Sequence, residues 1–300
     1  MSRGWAARPL WGVLGLIAVG FACDRATGAR SPAGQTLQAA GSTRVDAGAV
    51  AHIQADSLAA PRALASVSSG PVFDASLASA PDYEQADLDP TNDAMVAPPE
   101  PLAQCAERLK RAGIAFRPAS LAFENAVSKR GGRSERVACG AEQVVTYLGG
   151  PARVRYNAAP LVTCRLALAL ARFEQLAMEE ARLHLGQRVI AFKHLGTYSC
   201  RKMVRFDFVS EHSYANAIDI QEIVLEQGER LSVARHFGAL DAPAPSARAT
   251  FLRSLARRAF DERVFSTVLT PYWDGLHRDH FHLDLARYRV DGTRPADAAE

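Results

Sequence analysis

The chain has 300 residues, of which 48% are hydrophobic and 22% are charged, and its formal net charge at pH 7 is +3. This length allows one or two domains, and the composition is typical of a globular protein. The sequence has no long basic block and no basic stripe with interleaved aromatic residues, so nucleic acid is excluded as an expected partner. The charge leaves other classes of partner open.

The first 23 residues have the pattern of an export signal. Arg3 and Arg8 precede an apolar run at 10–22, which is too short to span a bilayer in the usual way. The run ends in "GFAC", which resembles a lipoprotein processing site at which Cys23 would receive the lipid. A cleaved signal without lipidation is the alternative. We therefore expect an exported protein of the periplasm or cell envelope, anchored to the membrane through Cys23.

Residues 24–101 are dominated by Ala, Ser, Gly, Pro and Asp, and Phe73 and Tyr83 are their only aromatic residues. Such a segment cannot bury enough apolar surface to fold, so it is predicted to be a flexible tether. Alternating and helical patterns of apolar residues follow it. We predict one folded domain at 102–290 and a flexible tail at 291–300.

The predicted elements of this domain combine helices with strands. An amphipathic helix is expected at 164–186, ending at Gly186, and a second one follows a cap at Ser246. Strands are expected at 204–210, at 264–269 and at 280–285, and a hairpin at 218–233 would turn at Gln227 and Gly228. These elements predict an α+β fold with a small antiparallel sheet and flanking helices.

Four cysteines follow the tether, at Cys105, Cys139, Cys164 and Cys200. In an oxidising compartment an even set of this kind favours disulfides, and four cysteines allow three pairings. We expect sequential pairing, Cys105 with Cys139 and Cys164 with Cys200. A zinc site made of all four cysteines is disfavoured, because no pair has C-x-x-C spacing.

Four of the eight histidines are concentrated in two short segments, "SEHSYANAIDI" at 210–220 and "HRDHFHLD" at 277–284. Alternate side chains of a strand share a face, so the strand at 280–285 would present His280, His282 and Asp284 together. Burial of such polar groups costs free energy unless hydrogen bonds, ion pairs or a bound metal compensate for it. The cluster therefore predicts a functional site.

His212 and Asp219 are predicted to lie on the two sides of a chain reversal, which brings them to one point. Together with His282 they form a set of two imidazoles and one carboxylate. This is the ligand set of a catalytic zinc ion whose fourth position is left to water. Non-haem iron is the alternative, but it usually takes its ligands from an H-x-D pair.

The pattern S-x-H-x-x-A-x-A-x-D at 210–219, together with H-x-H at 280–282, resembles the LAS group of zinc peptidases. These are D-Ala-D-Ala carboxypeptidases and dipeptidases and the penicillin-insensitive murein endopeptidase. With "YSCR" at 198–201, the chain more specifically resembles the bacterial extensin-like C-terminal domain family. The resemblance implies an LAS-type metallopeptidase-like fold.

By the same resemblance, His212, Asp219 and His282 are the zinc ligands and Ser210 is a supporting residue. His280 is the expected base, helped by His277. The implied reaction is zinc-assisted hydrolysis of peptidoglycan stem peptides or cross-links.

Three further residues bear on this interpretation. Arg201 is a candidate to bind a substrate carboxylate or the developing oxyanion, and an ordinary surface salt bridge is the alternative. Ala215 replaces a glycine that many LAS enzymes have, and Asp279 replaces the catalytic Glu of the dipeptidase branch. These two replacements support an alternative function, a catalytically inert cell-wall-binding module that keeps the metal site.

Overall fold

The computed structural model describes residues 102–130, 133–206 and 208–295. The predicted signal at 1–23, its lipidation site Cys23 and the tether at 24–101 lie outside these residues, and so does the second half of the predicted tail, 296–300. Within the described part of the chain, no helix is both long enough and apolar enough to cross a membrane.

This part of the chain contains four α-helices, ten strands and two 3-10 helices. The helices are α1 (Leu102–Arg111), α2 (Cys164–Leu185), α3 (Val233–His236) and α4 (Ala247–Asp261). The strands are β1 (Ala115–Arg130), β2 (Arg133–Gly149), β3 (Arg155–Tyr156), β4 (Leu161–Thr163), β5 (Val189–His194), β6 (Ala217–Leu225), β7 (Arg230–Ser232), β8 (Thr267–Leu269), β9 (Phe281–Asp284) and β10 (Val290–Gly292). The 3-10 helices are Glu211–Tyr214 and Gly275–His277.

The strands form two sheets. The long hairpin of β1 and β2 pairs with β4 in an antiparallel three-stranded sheet. The second sheet has the order β10-β8-β9-β6-β5-β3, with β7 also paired to β6. Its central pairs are antiparallel, whereas the outermost pairs, β10 with β8 and β3 with β5, are parallel. The α+β class is confirmed. The second sheet, which has seven strands and is called the main sheet below, is mixed because of its parallel edge pairs.

Helix α2 lies in the middle of the core. Its N-terminus is capped by the Thr163 hydroxyl, which accepts a hydrogen bond from the backbone N–H of Leu166 at 3.2 Å. Its C-terminus meets Gly186 in the left-handed conformation, with φ 64°. Buried residues occupy most of its circumference, so the helix packs on several sides at once. The predicted helix at 164–186 is confirmed.

The predicted hairpin and the second predicted helix are also confirmed. Strands β6 and β7 pair antiparallel around Gly228, whose φ of 87° suits glycine. The Ser246 hydroxyl caps α4 by accepting a hydrogen bond from the backbone N–H of Ala249 at 3.2 Å. Strands β8 and β9 lie within the two C-terminal strands that the sequence predicts.

The predicted strand at 204–210 is wrong. Residues 204–206 and 208–210 belong to a loop closed by the bridge between Lys202 and Val209 and by a hydrogen bond from Met203 N to Phe208 O at 2.8 Å. Val204 and Phe206 are 59% and 49% exposed. The alternating apolar residues therefore do not face the core, as a half-buried strand requires.

The C-terminal boundary also needs correction. Strand β10 covers Val290–Gly292 and pairs with β8, and Thr293 is buried. The folded chain therefore continues past residue 290, into the segment predicted to be a flexible tail.

The two disulfides join Cys105 to Cys164 and Cys139 to Cys200. The expected sequential pairing is therefore wrong, although all four cysteines are paired. The reason is the long β1–β2 hairpin, whose second strand contains Cys139. It carries Cys139 away from α1 to the segment around Cys200, while α1 packs against α2 and brings Cys105 to Cys164.

Helix α2 carries a buried carboxyl group near its middle. Glu174 is fully buried, and its Oε1 accepts hydrogen bonds from the hydroxyls of Tyr147 at 2.7 Å and Tyr156 at 3.1 Å. Burial raises the pKa of Glu174 to about 8, although these hydrogen bonds act in the opposite direction. A Cβ atom added to Gly150 would lie 2.9 Å from Glu174 Oε2, so a larger residue there would disturb this cluster.

We expect this carboxyl group to make folding stability depend on pH. The folded state raises the pKa of Glu174 from 4.5 to about 8, so its contribution is present below pH 4.5 and is lost as the pH rises to about 8. Between pH 4.5 and about pH 8, the free energy of unfolding of the wild type should fall by up to about 1.4 kcal/mol per pH unit relative to that of Glu174→Gln. Urea unfolding of both proteins between pH 5 and pH 8 measures this difference. Parallel stability curves would contradict the assignment.

Candidate metal centre

Three elements bring the predicted metal ligands together. His212 lies in the 3-10 helix Glu211–Tyr214, and Asp219 and His282 are direct partners on the antiparallel strands β6 and β9. The chain reverses between the 3-10 helix and β6, as the spacing of His212 and Asp219 predicts. The turn and the strand pairing thus determine the position of the site.

Ala215 forms the reversal and adopts the left-handed conformation, with φ 54°. Its N–H donates to the carbonyl of His212 at 3.3 Å, and the residue is completely buried. The turn therefore does require a positive φ, for which glycine is favoured. A non-glycine residue there costs roughly 1–2 kcal/mol, and such strain is typical of positions that shape a functional site.

The three side chains converge at distances that suit one metal ion. His212 Nε2 lies 3.2 Å from His282 Nδ1 and 3.2 Å from Asp219 Oδ2, and His282 Nδ1 lies 3.0 Å from Asp219 Oδ1. Ligand atoms placed tetrahedrally about 2.0 Å from a zinc ion would be about 3.3 Å apart. The donor atoms and their spacing fit zinc.

The outer nitrogen of each imidazole faces an oxygen acceptor. His212 Nδ1 lies 3.3 Å from the carbonyl of Thr197, and His282 Nε2 lies 2.9 Å from Asp284 Oδ2. Donation of the outer N–H to such an acceptor leaves the inner nitrogen available to a metal. Asp284, on the same face of β9 as His282, therefore orients a predicted ligand.

The charges of the site are strongly coupled. Burial disfavours the charged form of His282, but hydrogen bonds to Asp219 and Asp284 outweigh this effect and raise its pKa to about 10. Burial would raise the pKa of Asp219, but hydrogen bonds from His212 and His282 hold it well below its usual value. This pocket therefore stabilises a negative carboxylate beside positive charge, which a divalent cation would also supply.

One supporting residue was missed by the sequence analysis. Glu211 is buried, and its Oε2 accepts a hydrogen bond from Asn216 Nδ2 at 2.6 Å. Burial raises the pKa of Glu211 to about 8, and the negative charge of Asp284 adds to this effect. Its position inside the motif, next to His212, was the available signal, but a glutamate in a predicted turn is normally exposed.

Two of the three candidate metal ligands, Asp219 and His282, line a cleft of about 420 Å³, and the predicted base and substrate-binding residues line the same cleft. His280 Nδ1 lies 2.9 Å from Asp279 Oδ1, and His280 Nε2 lies 3.6 Å from Asp219 Oδ1. The ring centroid of His277 lies 5.4 Å from that of His280 and 5.8 Å from that of His282. Both predicted base residues therefore lie beside the candidate metal site.

Arg201 and Ser210 are at the two ends of the cleft loop, which we define as residues 201–206 and 208–210. Ser210 N donates to Arg201 O at 3.0 Å, and Ser210 O accepts from Ser213 N at 2.8 Å. Ser210 is buried in the cleft wall, and the Arg201 guanidinium has no hydrogen-bond partner within 102–130, 133–206 and 208–295. The structure brings both residues to the site, and their roles toward a substrate stay predictions.

Exposed apolar side chains form much of the cleft rim. Val204 and Phe206 belong to the cleft loop, while Trp273 and Leu276 on the other side are 40% and 44% exposed. Exposed apolar groups beside convergent polar residues are typical of a ligand-binding cleft. The cleft can therefore accept a ligand that has both apolar and polar parts.

Comparison with known proteins identifies the family of this domain. Neither the curated proteins nor the solved structures include a match to the chain. The family described as "Extensin-like protein C-terminus" matches residues 103–294, which include all of α1 except its first residue, both sheets and every residue of the candidate metal centre. Since this match covers well over half of the 300 residues, the chain belongs to the extensin-like protein C-terminus family.

Proposed function

We propose that this protein is an exported, zinc-dependent peptidase that hydrolyses peptidoglycan stem peptides or their cross-links. The observation that carries the proposal is the convergence of His212, Asp219 and His282 at tetrahedral spacing, with Asp219 and His282 on the wall of a cleft. Two imidazoles and one carboxylate leave one position of a tetrahedral zinc ion open to water or substrate. The peptide bond as substrate follows from the resemblance to the LAS group.

Zinc, when bound, supplies a Lewis acid that polarises a carbonyl group and lowers the pKa of a water molecule. The protein then has to accept a proton close to this position. His277 and His280 both line the cleft next to the metal ligands, so one of them is the proton acceptor. The same residue would return the proton to the leaving amine.

Arg201 is the proposed binding group for a carboxylate of the peptide or for the developing oxyanion. Its guanidinium lines the cleft and is not engaged by the residues described around it. An arginine fork binds carboxylates through two parallel hydrogen bonds, which also orients the peptide. The apolar rim would cover the aliphatic parts of the substrate.

The predicted export signal and tether complete the proposal. Lipidation at Cys23 would anchor the protein to a membrane of the cell envelope, and a flexible segment at 24–101 would allow the domain to reach the wall. No nucleic-acid partner is proposed.

Digestion of purified peptidoglycan by the full-length protein tests this function. We expect about one zinc ion per chain and new muropeptide products by mass spectrometry, which a chelator abolishes and added zinc restores. Zinc binding without any product would favour the inert cell-wall-binding module. Failure to bind zinc after reconstitution at neutral pH would contradict both functions.

A further inference from the structure

Asp274 makes several contacts at the start of the 3-10 helix Gly275–His277. Its Oδ1 accepts hydrogen bonds from the backbone N–H groups of Leu276 at 2.9 Å and His277 at 3.2 Å. The same oxygen lies 2.7 Å from His277 Nδ1, and the Asp274 side chain is 6% exposed. Asp274 thus caps the helix and contacts the histidine side chain with one oxygen atom.

This contact determines the tautomer of His277. Burial alone would raise the pKa of Asp274, but the hydrogen bond and charge of His277 outweigh it and hold the pKa below its usual value. An ionised carboxylate only accepts hydrogen bonds, so Nδ1 must carry the proton. The other nitrogen, Nε2, then has a free lone pair in the neutral ring. Within the described residues, Nε2 has no hydrogen-bond partner.

His280 differs from His277 in both respects. Its Nδ1 also faces a carboxylate, Asp279, but the Asp279 side chain is 42% exposed and therefore less restrained. Its Nε2 faces Asp219, the carboxylate of the predicted metal site, at 3.6 Å. Both nitrogens of His280 are therefore directed at carboxylates, whereas His277, which also lines the cleft, has one nitrogen directed at a carboxylate and one without a hydrogen-bond partner among the described residues.

Arg205 contributes less to this arrangement. Its Nη1 lies 3.5 Å from Asp274 Oδ2, but its side chain is 59% exposed, and exposed ion pairs contribute little. The shorter and more buried contact between Asp274 and His277 is the dominant one.

We propose that Asp274 is a positioning residue that holds His277 in the Nδ1–H tautomer, with Nε2 as the proton acceptor of the site. The assignment of the acceptor rests on the proposed hydrolysis, whereas the tautomer does not. In that reaction His277 Nε2 accepts a proton from water as the new C–O bond forms. It returns the proton to the amine nitrogen as the C–N bond breaks. Water and the amide thereby give one acid and one amine.

Two substitutions separate positioning from capping. Asp274→Ser keeps a good helix N-cap but its side chain is too short to reach the imidazole. Asp274→Asn keeps the cap and also an oxygen at the position that faces His277 Nδ1, because both backbone N–H groups hold that oxygen in place. A role limited to capping the helix predicts the same behaviour for both variants.

We expect Asp274→Ser to lower kcat on purified muropeptide dimers at least about tenfold, with KM changed less than about threefold, because a positioned base contributes roughly 10²- to 10⁴-fold. Asp274→Asn should retain kcat within about fivefold. Nitrogen-15 spectra of the histidine rings give a second readout, with the His277 signals identified by their loss in His277→Gln. They should show the Nδ1–H tautomer in the wild type and Asp274→Asn, and its loss in Asp274→Ser.

Equal kcat values in the two Asp274 variants, or an unchanged tautomer in Asp274→Ser, would overturn the proposal. If the wild type binds zinc but cleaves nothing, the proposed hydrolysis fails and the acceptor role of His277 fails with it. The tautomer spectra still decide the positioning role in that case, since they do not depend on turnover.

Discussion

His282→Ala should abolish zinc binding, whereas His280→Ala should leave the bound zinc in place. His282 lies 3.0 Å from Asp219 and 3.2 Å from His212, in the centre of the candidate ligand set. Loss of a residue that only supports a ligand typically lowers metal affinity 10- to 100-fold, so loss of the ligand itself should lower it by more than about 100-fold. Equilibrium dialysis followed by metal analysis measures this affinity.

Thermal unfolding of the same variants, with and without zinc, gives a second measurement. Zinc at 100 times its Kd should stabilise the wild type by about 2.7 kcal/mol, because the ion binds the folded state only. The same zinc concentration should leave His282→Ala unchanged. His184→Ala is the matched control, since His184 contacts Glu180 on α2 and has no contact with the site. Zinc loss from His280→Ala would make His280 a ligand and would contradict the assignment.

Removal of the Cys139–Cys200 disulfide should destabilise the folded state by about 4 kcal/mol, because the bond closes a long segment of the unfolded chain. The two cysteines are 61 positions apart in the sequence. Urea unfolding of Cys139→Ala/Cys200→Ala against the oxidised wild type measures this loss. Peptide mapping of the wild type without reductant checks the pairing itself.

The other disulfide provides the control for an effect on the cleft. Cys105 and Cys164 are 59 positions apart, so their removal should cost nearly the same stability. Only Cys200 directly precedes the cleft loop, which begins at Arg201. We therefore expect the Cys139/Cys200 variant alone to weaken substrate turnover beyond its loss of folded protein. Equal turnover per folded molecule in both variants would contradict a link between this disulfide and the cleft.

Two parts of the candidate site were predictable because each of them lies within one short segment of the sequence. Spacing within two short segments predicts the reversal before Asp219 and the shared strand face of His282 and Asp284, and the structure has both. Local hydrogen-bond rules likewise predict the capped ends of α2 and α4. Features determined within about ten residues were therefore accessible to sequence analysis.

Features that depend on distant partners were not predictable. The β1–β2 hairpin has few strongly alternating apolar residues, and Phe123 and Val127 on it are exposed. Without the hairpin, the partner of Cys139 cannot be deduced. Val204 and Phe206 led to a wrong prediction for a different reason. They alternate with polar residues as in a half-buried strand, but they lie exposed on the cleft rim. A period of two does not distinguish a core-facing surface from a ligand-facing one.

The parallel edges of the main sheet were missed for a similar reason. Strands β3 and β10 have two and three residues, too few to show a period. Their pairing with β5 and β8 depends on the return of the chain after long intervening segments. Short edge strands are determined by the sheet that they join.

The two disulfides interleave along the chain, since Cys139 lies between Cys105 and Cys164 in the sequence. A chain that enters an oxidising compartment from its N-terminus presents Cys105 and Cys139 first, and these two are not partners in the folded protein. Any bond formed between them must be broken by thiolate attack before the native pairs can form. If the protein is exported as proposed, conversion of such a bond into the native pairs would require disulfide exchange after Cys164 and Cys200 have entered the compartment.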